Sequence, residues 1–367
     1  MAGAWGSGLS VVRAYDRRVT SSAVERRVVI VGALVASGLL LAACRPGAPP
    51  ARAAISEERL AMGSLLRLTA WTTDEAGTRA AFAAVFAEFD RLEGLLSVWR
   101  PGSDVERINA QALQAPVAVR HETRDVLRAA AQVSAWTEGG FDVTFGALAE
   151  IWKFDHDQDG RVPGAAEIAA HRARVDYRAV VVDDGPGTVR LVRPGVHVHL
   201  GGIGKGYAVD RAVAMLRGAG LTDFMVQAGG DLYVAGRAGD TPWRLGIQDP
   251  RGAGDEPFAV VELADATFST SGDYERFFVK DGVRYHHILD PKTGEPARGC
   301  RSVTIVAREA VWADGLSTGV FILGPERGMA LVERLPDVEA VIVTADNRVL
   351  VSRGLEGRVE IRRPPTP

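Results

Sequence analysis

Cysteine is nearly absent from this chain of 367 residues, which has only Cys44 and Cys300. A disulfide framework is therefore excluded, and a hydrophobic core must hold the fold together. The 47% hydrophobic content is enough for one large domain or two small ones. A basic excess is also lacking: the net charge of −3 argues against a nucleic-acid-binding surface. No period of 20–50 residues repeats, which argues against a solenoid.

Two motifs with well-known chemistry are misplaced or incomplete. One G-x-S-x-G occurs, Gly315-Leu316-Ser317-Thr318-Gly319, but it lies within the helix predicted over 314–323 rather than at a strand-to-helix turn, so it does not indicate the nucleophile elbow of serine hydrolases. Asp155-x-Asp157-x-Asp159-Gly160 resembles an EF-hand loop, but position 166 is Ala where that loop requires Glu. A solvated acidic loop is therefore favoured, and a weak Ca²⁺ site stays open as the alternative. Cys300 has no Cys/His motif around it, and we expect an inert small residue rather than a nucleophile.

The N-terminus has the pattern of an export signal. Arg26-Arg27 precede an apolar run over residues 28–41, and Leu41-Ala42-Ala43-Cys44 closes it. The run is short for a spanning helix, which needs about 20 residues. A Cys after Leu-Ala-Ala resembles a bacterial lipobox. We therefore expect a lipoprotein signal peptide over 1–43, a lipid on Cys44, a tether over 44–57, and a protein anchored to a bacterial membrane on its periplasmic or other extracytoplasmic face. The alternative is a membrane anchor that is never cleaved. Two points stay undecided: whether translation starts downstream of Met1, and whether Arg26-Arg27 form a twin-arginine export signal.

The remaining chain predicts an α+β domain over 58–358, with a flexible tail over 359–367. Apolar spacing of helical period predicts helices over 79–96 and 121–138. Further elements are predicted as a hairpin (179–182 with 189–192), strands (224–228, 232–235, 243–247, 258–263 and 303–306), helices (314–323 and 325–335) and a last hairpin (340–344 with 349–351). Strands and helices do not alternate regularly, which argues against a doubly wound sheet.

A glycine-rich stretch at residues 200–210, Leu-Gly-Gly-Ile-Gly-Lys-Gly-Tyr-Ala-Val-Asp, is the most informative segment. Glycine lets a backbone approach a ligand closely, Lys205 is placed to meet an anion, and the helix predicted to follow adds a positive dipole end. The stretch therefore indicates a phosphate or pyrophosphate site. It is neither a P-loop, because Gly206 follows Lys205 where a hydroxyl is needed, nor a Rossmann fingerprint, because the glycine spacing is wrong. A plain strand-to-helix turn is the alternative.

Six further motifs stand in order around this stretch: Ala61-Met62-Gly63-Ser64, Leu96-Ser97-Val98-Trp99-Arg100, Gly140-Phe141-Asp142-Val143-Thr144, Val226-Gln227-Ala228-Gly229-Gly230-Asp231, His286-His287-Ile288-Leu289-Asp290-Pro291 and Ala313-Asp314-Gly315-Leu316-Ser317-Thr318. Together with Ser271-Gly272-Asp273-Tyr274, the set resembles the ApbE family of FAD:protein FMN transferases, from about residue 62 to 324. The resemblance implies an α+β fold of two closely packed lobes with the flavin nucleotide between them. It also implies transfer of FMN from FAD to a Thr or Ser of an acceptor protein, with release of AMP.

Asp314 and Thr318 lie four residues apart at a predicted helix start, so their oxygens share one face. A carboxylate and a hydroxyl suit Mg²⁺, although a helix-start acid with a surface Thr would show the same spacing. The resemblance implies that both bind a catalytic Mg²⁺ with the carbonyl of Gly202. It also implies that His287 is the general base. Because His286 and His287 are adjacent, only one of them can face the site from a strand; a structural His287 is the alternative.

The resemblance further implies contacts with the flavin nucleotide. They are assigned to Met62, Trp99, Gly140, Phe141, Asp142, His199, Lys205 and Ile288. His199 stands where the family usually has Asp, Ser64 replaces a usual Thr, and Gly204 replaces a usual Ala. The expected partners are thus Mg²⁺, FAD and an acceptor carrying Asp followed by Gly-Ala-Ser/Thr. The chain has Asp142 and Gly146-Ala147, but Leu148 in the acceptor position has no hydroxyl, so we interpret it as the transferase. A Mg²⁺-dependent FAD pyrophosphatase and a non-catalytic flavin-binding lipoprotein are the alternatives.

Overall fold

The computed structural model describes residues 52–155, 157–253 and 256–367. The predicted signal peptide, Cys44 and the first part of the predicted tether lie outside these residues. Within the described ranges, no helix is both long enough and apolar enough to cross a membrane.

Eight α-helices occur in the described ranges. They are α1 (Glu75–Leu96), α2 (Asp104–Gln111), α3 (His121–Trp136), α4 (Gly146–Ala149), α5 (Ala165–Arg172), α6 (Gly204–Gly218), α7 (Ala310–Leu323) and α8 (Pro325–Val332). Sixteen β-strands accompany them in the same ranges. They are β1 (Ala53–Ala61), β2 (Ser64–Thr72), β3 (Val117–Ala118), β4 (Val180–Asp183), β5 (Thr188–Leu191), β6 (Phe224–Ala228), β7 (Asp231–Ala235), β8 (Trp243–Gln248), β9 (Pro257–Leu263), β10 (Ala266–Gly272), β11 (Phe277–Lys280), β12 (Val283–His286), β13 (Cys300–Ala307), β14 (Glu339–Thr344), β15 (Val349–Val351) and β16 (Val359–Ile361).

The central element is an eight-stranded sheet in the order β1-β2-β6-β7-β10-β13-β14-β15. All of its strand pairs are antiparallel. Consecutive side chains of a strand point to opposite faces of a sheet. In β6, Phe224 and Val226 join the larger hydrophobic cluster, which contains residues of α1, α3, α6 and α7, whereas Met225 joins a second cluster. The second cluster includes Trp243 and Phe258 of a small sheet ordered β16-β9-β8.

The central sheet is therefore covered on both faces, by helices on one and by the small sheet on the other. This explains why β6 and β7 are buried along their whole length. Antiparallel sheets combined with helices that do not alternate regularly with the strands confirm the predicted α+β class.

Two smaller units complete the molecule. A three-stranded sheet ordered β3-β5-β4 includes the predicted hairpin, and β11 pairs with β12 in a separate hairpin. Beside β11 and β12 lies a small apolar cluster containing Leu148, Trp152 and Leu289. Leu148 is fully buried there, so it serves as a core residue.

Both ends of the domain differ from the sequence prediction. The predicted tether ends at 57, but β1 begins at Ala53 and pairs with β2 along its length. The predicted tail begins at 359, but β16 pairs with β9. Beyond it, the Thr366 N–H and hydroxyl both donate to Asp249, with the hydroxyl bond at 2.7 Å. Backbone pairing and a buried carboxylate thus contact the segment for which the sequence predicts a flexible tail over 359–367.

Candidate active site

A large cavity of about 650 Å³ lies beside the start of α6, within the size range of ligand pockets, roughly 300–1,000 Å³. Every residue that the sequence placed in the site lines this cavity. They are Met62, Trp99, Gly140, Phe141, Asp142, His199, Gly202, Lys205, His287, Ile288, Asp314 and Thr318. The fold thus brings together residues that are separated by up to 256 positions in the chain, whereas their individual roles stay predictions.

The glycine-rich stretch is a turn over residues 201–203 followed by the start of α6, which begins at Gly204. None of the four glycines of the stretch (Gly201, Gly202, Gly204 and Gly206) has a positive φ. A Cβ on Gly206 would lie 2.3 Å from the carbonyl oxygen of Ala310 and 2.7 Å from Cβ of Asp314. Glycine is required at this position because α6 and α7 approach each other there. The expectation that this glycine serves close approach to a ligand was therefore wrong for Gly206.

Asp314 is held by the helix that it faces. Its Oδ2 accepts a hydrogen bond of 2.8 Å from the N–H of Gly206, one of the first-turn amides that an α-helix leaves unpaired. In the other direction, Asp210 of α6 accepts from Ala310 N–H at 2.7 Å and from Val311 N–H at 2.8 Å at the start of α7. Neither helix has a side-chain cap of its own, so each takes one from the other.

Lys205 pairs with two carboxylates of the site. Its Nζ contacts Asp231 Oδ2 and lies 3.8 Å from Asp314 Oδ1. Burial alone would lower the pKa of Lys205, but Asp231 and Asp314 outweigh that effect and raise it, so this side chain stays charged. Burial and the nearby Asp231 raise the pKa of Asp314 to about 7, although Lys205 opposes the shift. Two buried carboxylates thus share a single ammonium group, and a further cation would stabilise them.

The donor set around Asp314 fits Mg²⁺. Thr318 Oγ1, one helical turn further on, lies 3.1 Å from Ser271 Oγ, and both residues line the cavity. The Gly202 backbone passes close by, because a Cβ there would lie 3.7 Å from Thr318 Oγ1. Carboxylate, hydroxyl and carbonyl oxygens are the ligands that Mg²⁺ takes in proteins. No cluster of three or more His, Cys, Asp or Glu side chains that could hold a metal ion occurs within the described ranges.

The two adjacent histidines face opposite ways, as the sequence predicts. His286 is buried, and its Nε2–H donates to the carbonyl of Ala297 at 2.8 Å. His287 lines the cavity, and its Nδ1 has no hydrogen-bond partner among the described residues. Burial and the positive charge of Arg276 lower the pKa of His287 well below its usual value. A neutral imidazole that lines the cavity is suited to accept a proton.

Apolar side chains also line the cavity. Phe141 and Ile288 are buried, and Trp99 is 58% exposed. Met62 has φ of 49° in the turn between β1 and β2, and its N–H donates to Glu93 at 3.0 Å. Such surfaces suit a planar ring system.

Two of the predicted nucleotide contacts use their polar atoms within the protein. Asp142 accepts from Thr144 N–H at 2.7 Å through Oδ1 and from Tyr177 N–H at 2.9 Å through Oδ2. Its carboxylate therefore has a structural role in shaping the wall of the cavity. His199 Nδ1 accepts from the N–H of Gly201 at 3.1 Å, and burial lowers the pKa of His199 to about 4. This residue is consequently neutral at physiological pH.

The acidic loop at residues 155–160 is stabilised by cations of the protein. Asp155 pairs with Arg276, and Asp157 pairs with Lys153 at 2.9 Å. Asp159 accepts from the N–H of Arg161, which closes a turn. The contacts favour the solvated acidic loop over the Ca²⁺ alternative.

The residue-by-residue prediction omitted three groups that organise the site: Asp231, Ser271 and Asp210. The first two lie in motifs that the sequence singles out, Gly229-Gly230-Asp231 and Ser271-Gly272-Asp273, so their position in those motifs was the available signal. Asp210 ends the glycine-rich stretch, and its capping role depends on a partner 100 residues away.

Fold and site together define an α+β protein with a nucleotide-sized cavity that is lined by apolar side chains and by hard oxygen donors. Known proteins are similar to this chain in sequence and fold. The model of the ApbE family matches residues 62–342. The protein named FAD:protein FMN transferase from Treponema pallidum is 35% identical over 337 residues, covering 87% of this chain and 93% of that protein. A relative of the same name from Klebsiella pneumoniae is 33% identical and covers 83% and 89%.

Solved structures agree with the sequence comparisons. The ApbE protein of Thermotoga maritima superposes with a TM-score of 0.77 at 35% identity, over 83% of this chain and 99% of that one. The flavin transferase ApbE of Vibrio cholerae gives 0.76 at 28% identity, over 84% and 99%. The chain belongs to the ApbE family, which confirms the resemblance recognised in the sequence.

Proposed function

We propose that this protein is an FAD:protein FMN transferase, which moves FMN from FAD to a Thr or Ser hydroxyl of an acceptor protein and releases AMP. One observation carries the proposal beyond family membership. The neutral His287, with a free Nδ1, lines the same cavity as the oxygen donors Asp314 and Thr318. A proton acceptor and a cation site in one cavity are what phosphoryl transfer requires.

The proposed reaction replaces the phosphoanhydride bond of FAD by a phosphoester bond to the acceptor. The acceptor hydroxyl oxygen forms a bond to the FMN-side phosphorus, and the bond from that phosphorus to the bridging oxygen breaks. AMP leaves with the bridging oxygen, and the imidazole of His287 takes the hydroxyl proton. Lys205 holds Asp231 and Asp314 in place and adds positive charge beside the phosphates, while Phe141 and Ile288 offer apolar surface to the ring system.

Mg²⁺ is the proposed cofactor, with Asp314, Thr318 and the carbonyl of Gly202 as its protein ligands. When bound, it neutralises negative charge on the phosphate oxygens and orients them. The residues themselves supply the position of the site, because α6 fixes Asp314 through the N–H of Gly206.

The decisive experiment measures AMP release with and without an acceptor, together with the intact mass of the acceptor. A transferase releases AMP mainly when an acceptor with a free Thr or Ser is present, and the acceptor gains the mass of FMN less water. AMP release at an unchanged rate without acceptor, and no mass gain on a competent acceptor, would make FAD pyrophosphatase the correct activity. No AMP under either condition would identify a flavin-binding lipoprotein.

We also propose that a lipid on Cys44 anchors the mature protein to the extracytoplasmic face of a bacterial membrane. The sequence Leu41-Ala42-Ala43-Cys44 after an apolar run supports this proposal. Cys44→Ser should release a soluble or uncleaved form, measured by membrane fractionation. An unmodified Cys44 in the mature native protein, detected by mass spectrometry, would contradict the proposal.

A further inference from the structure

A second, smaller cavity lies behind the strand that leads to His287. It has a volume of about 220 Å³, and it does not share a lining residue with the large cavity. Arg284 and His286 of β12 line it, whereas Tyr285 packs against the apolar cluster near Trp152 and His287 lines the large cavity. Residues 284 and 286 thus face the small cavity and residues 285 and 287 face away from it, because successive side chains of a strand point to opposite sides.

Positive charge dominates the small cavity. Four arginines line it, Arg251, Arg284, Arg298 and Arg301, against one carboxylate, Asp273. Asp273 is already engaged, because Arg251 donates to both of its oxygens at 2.6 and 2.7 Å.

The other three guanidinium groups have no carboxylate within 4 Å in the described ranges. Arg298 donates to the carbonyl of Arg284 at 2.8 Å, and Arg301 donates to Asn347 Oδ1 at 2.8 Å and to the carbonyl of Thr366 at 2.9 Å. These acceptors are neutral. Three arginines whose hydrogen-bond acceptors among the described residues are all neutral therefore line one small space, with Asp273 as its one carboxylate.

Arg284 has a buried hydrogen-bond donor without an acceptor. Its guanidinium carbon lies 3.7 Å from the centre of the Phe277 ring, which fixes the side chain, and its Nη1 is buried without a hydrogen-bond partner in the described part of the chain. A buried donor without an acceptor is rare and costly. Burial, together with the neighbouring charge of Arg251, lowers the pKa of Arg284, which is the direction expected where an anion is needed.

We propose that this cavity binds a small oxyanion of the phosphate type. Guanidinium groups match the oxygens of phosphate in geometry and charge, and a doubly charged anion would compensate most of the excess positive charge of the lining. The cavity is too small for a flavin nucleotide, so this is a site separate from the large cavity. The ligand is free phosphate or the phosphate of a small phosphomonoester.

Calorimetric titration of the flavin-free mature protein with inorganic phosphate tests the proposal, with chloride adjusted to keep the ionic strength constant. Arg284→Gln should weaken binding by about tenfold or more, because one charge-assisted hydrogen bond is lost. Arg244→Gln is the matched control, since it removes the same charge from the distant β8, where Arg244 pairs with Glu262 and Glu360. It should bind phosphate as the wild type does. Parallel titrations with glycerol 3-phosphate identify the ligand: tighter binding of the ester assigns the site to a phosphomonoester, and tighter binding of phosphate to the free ion.

Ala345→Glu provides a second test that does not depend on the folding of Arg284→Gln. Ala345 is exposed at the rim of the cavity, so a carboxylate there would compete with the anion and abolish binding. Three outcomes would overturn the proposal: no saturable binding of either probe to the wild type, equal affinity in Arg284→Gln and Arg244→Gln, or unchanged affinity in Ala345→Glu.

Discussion

Asp210 and Asp314 cap each other's helices. Asp210 of α6 accepts from two amides at the start of α7, and Asp314 of α7 accepts from the amide of Gly206 at the start of α6. Each carboxylate satisfies donors that its partner helix leaves unpaired. The proposed metal ligand Asp314 is therefore positioned by a reciprocal contact. A substitution that shifts the start of either helix should displace the carboxylate of Asp314.

Asp210→Ala should destabilise the protein by roughly 1–2 kcal/mol, the usual cost of losing a helix N-cap. Chemical denaturation at neutral pH measures this change in the free energy of unfolding. Asp210→Asn keeps an oxygen acceptor and should recover part of the loss. Equal stability of the wild type and Asp210→Ala would show that the hydrogen bonds from the amides of Ala310 and Val311 to Asp210 make no net contribution to the free energy of unfolding.

Asp210 should also make stability depend on pH. Burial raises the pKa of Asp210 to about 6, from 3.8 in the unfolded chain. Between these values the folded protein holds more protons, so the contribution of this group to stability is complete below about 4 and is lost as the pH rises to about 6. The unfolding free energy of the wild type relative to Asp210→Asn should fall by about 2–3 kcal/mol over this window. Denaturation at several pH values checks the slope, and a rise in the difference would contradict it.

Gly206→Ala should separate α6 from α7, because the added Cβ would meet the Ala310 carbonyl at 2.3 Å. We expect a loss of roughly 1–3 kcal/mol, typical of overpacking, and a large loss of transfer activity through displacement of Asp314. Gly218→Ala is the matched control: it changes the same residue type in the same helix, and its Cβ meets nothing within 4 Å. The control should be neutral or slightly stabilising. Similar melting temperatures for the two variants would refute the packing role of Gly206.

Asp314→Asn should abolish Mg²⁺-dependent FMN transfer while keeping the fold. The amide oxygen still accepts from Gly206, but the charged metal ligand is gone. Thr318→Ala should lose less activity, because a water replaces a neutral hydroxyl in the Mg²⁺ shell. Transfer rates measured over a Mg²⁺ titration separate the two variants. Full activity of Asp314→Asn at low Mg²⁺ would place the metal elsewhere.

His287→Ala should slow FMN transfer by roughly 10²–10⁴, the usual contribution of a general base, while FAD binding persists. Because the pKa of His287 is lowered, the acidic limb of the rate profile should lie well below pH 6.5 in the wild type and disappear in the variant. His286→Gln is the contrasting change, since that ring is buried in the core and should affect stability more than chemistry. Rates and flavin titrations at each pH provide the test; an unaltered transfer rate in His287→Ala would remove this residue from the mechanism.

Elements with strong local patterns were predictable. The strand predicted over 224–228 is β6 at the same bounds, and the helix over 121–138 is α3, which ends two residues earlier, before a turn in which Gly139 has φ of 76°. Strand β1 was missed because it is an edge strand whose middle, Glu57-Glu58-Arg59, is charged and mostly solvated, so no apolar alternation marks it.

The site was predictable as a set of residues but not as a set of contacts. Motif order placed Lys205 and Asp314 in one site, whereas the pairing of Lys205 with Asp231 depends on α6 packing beside β7. For the same reason, the sequence could not show that both carboxylate oxygens of Asp142 accept hydrogen bonds from backbone amides, those of Thr144 and Tyr177. Such contacts arise from tertiary packing, which periodicity does not encode.

The pairing of β16 with β9 gives the chain a fixed order of assembly. Residues 359–361 close the small sheet against residues 259–261, and Thr366 then contacts Asp249. During synthesis, the first partner of each pair leaves the ribosome about a hundred residues before the second. The small sheet, and with it one cover of the central sheet, is therefore completed only after residue 361 has been synthesised. A chain terminated before residue 359 would keep every residue of the proposed active site, yet would lack the strand that closes the small sheet.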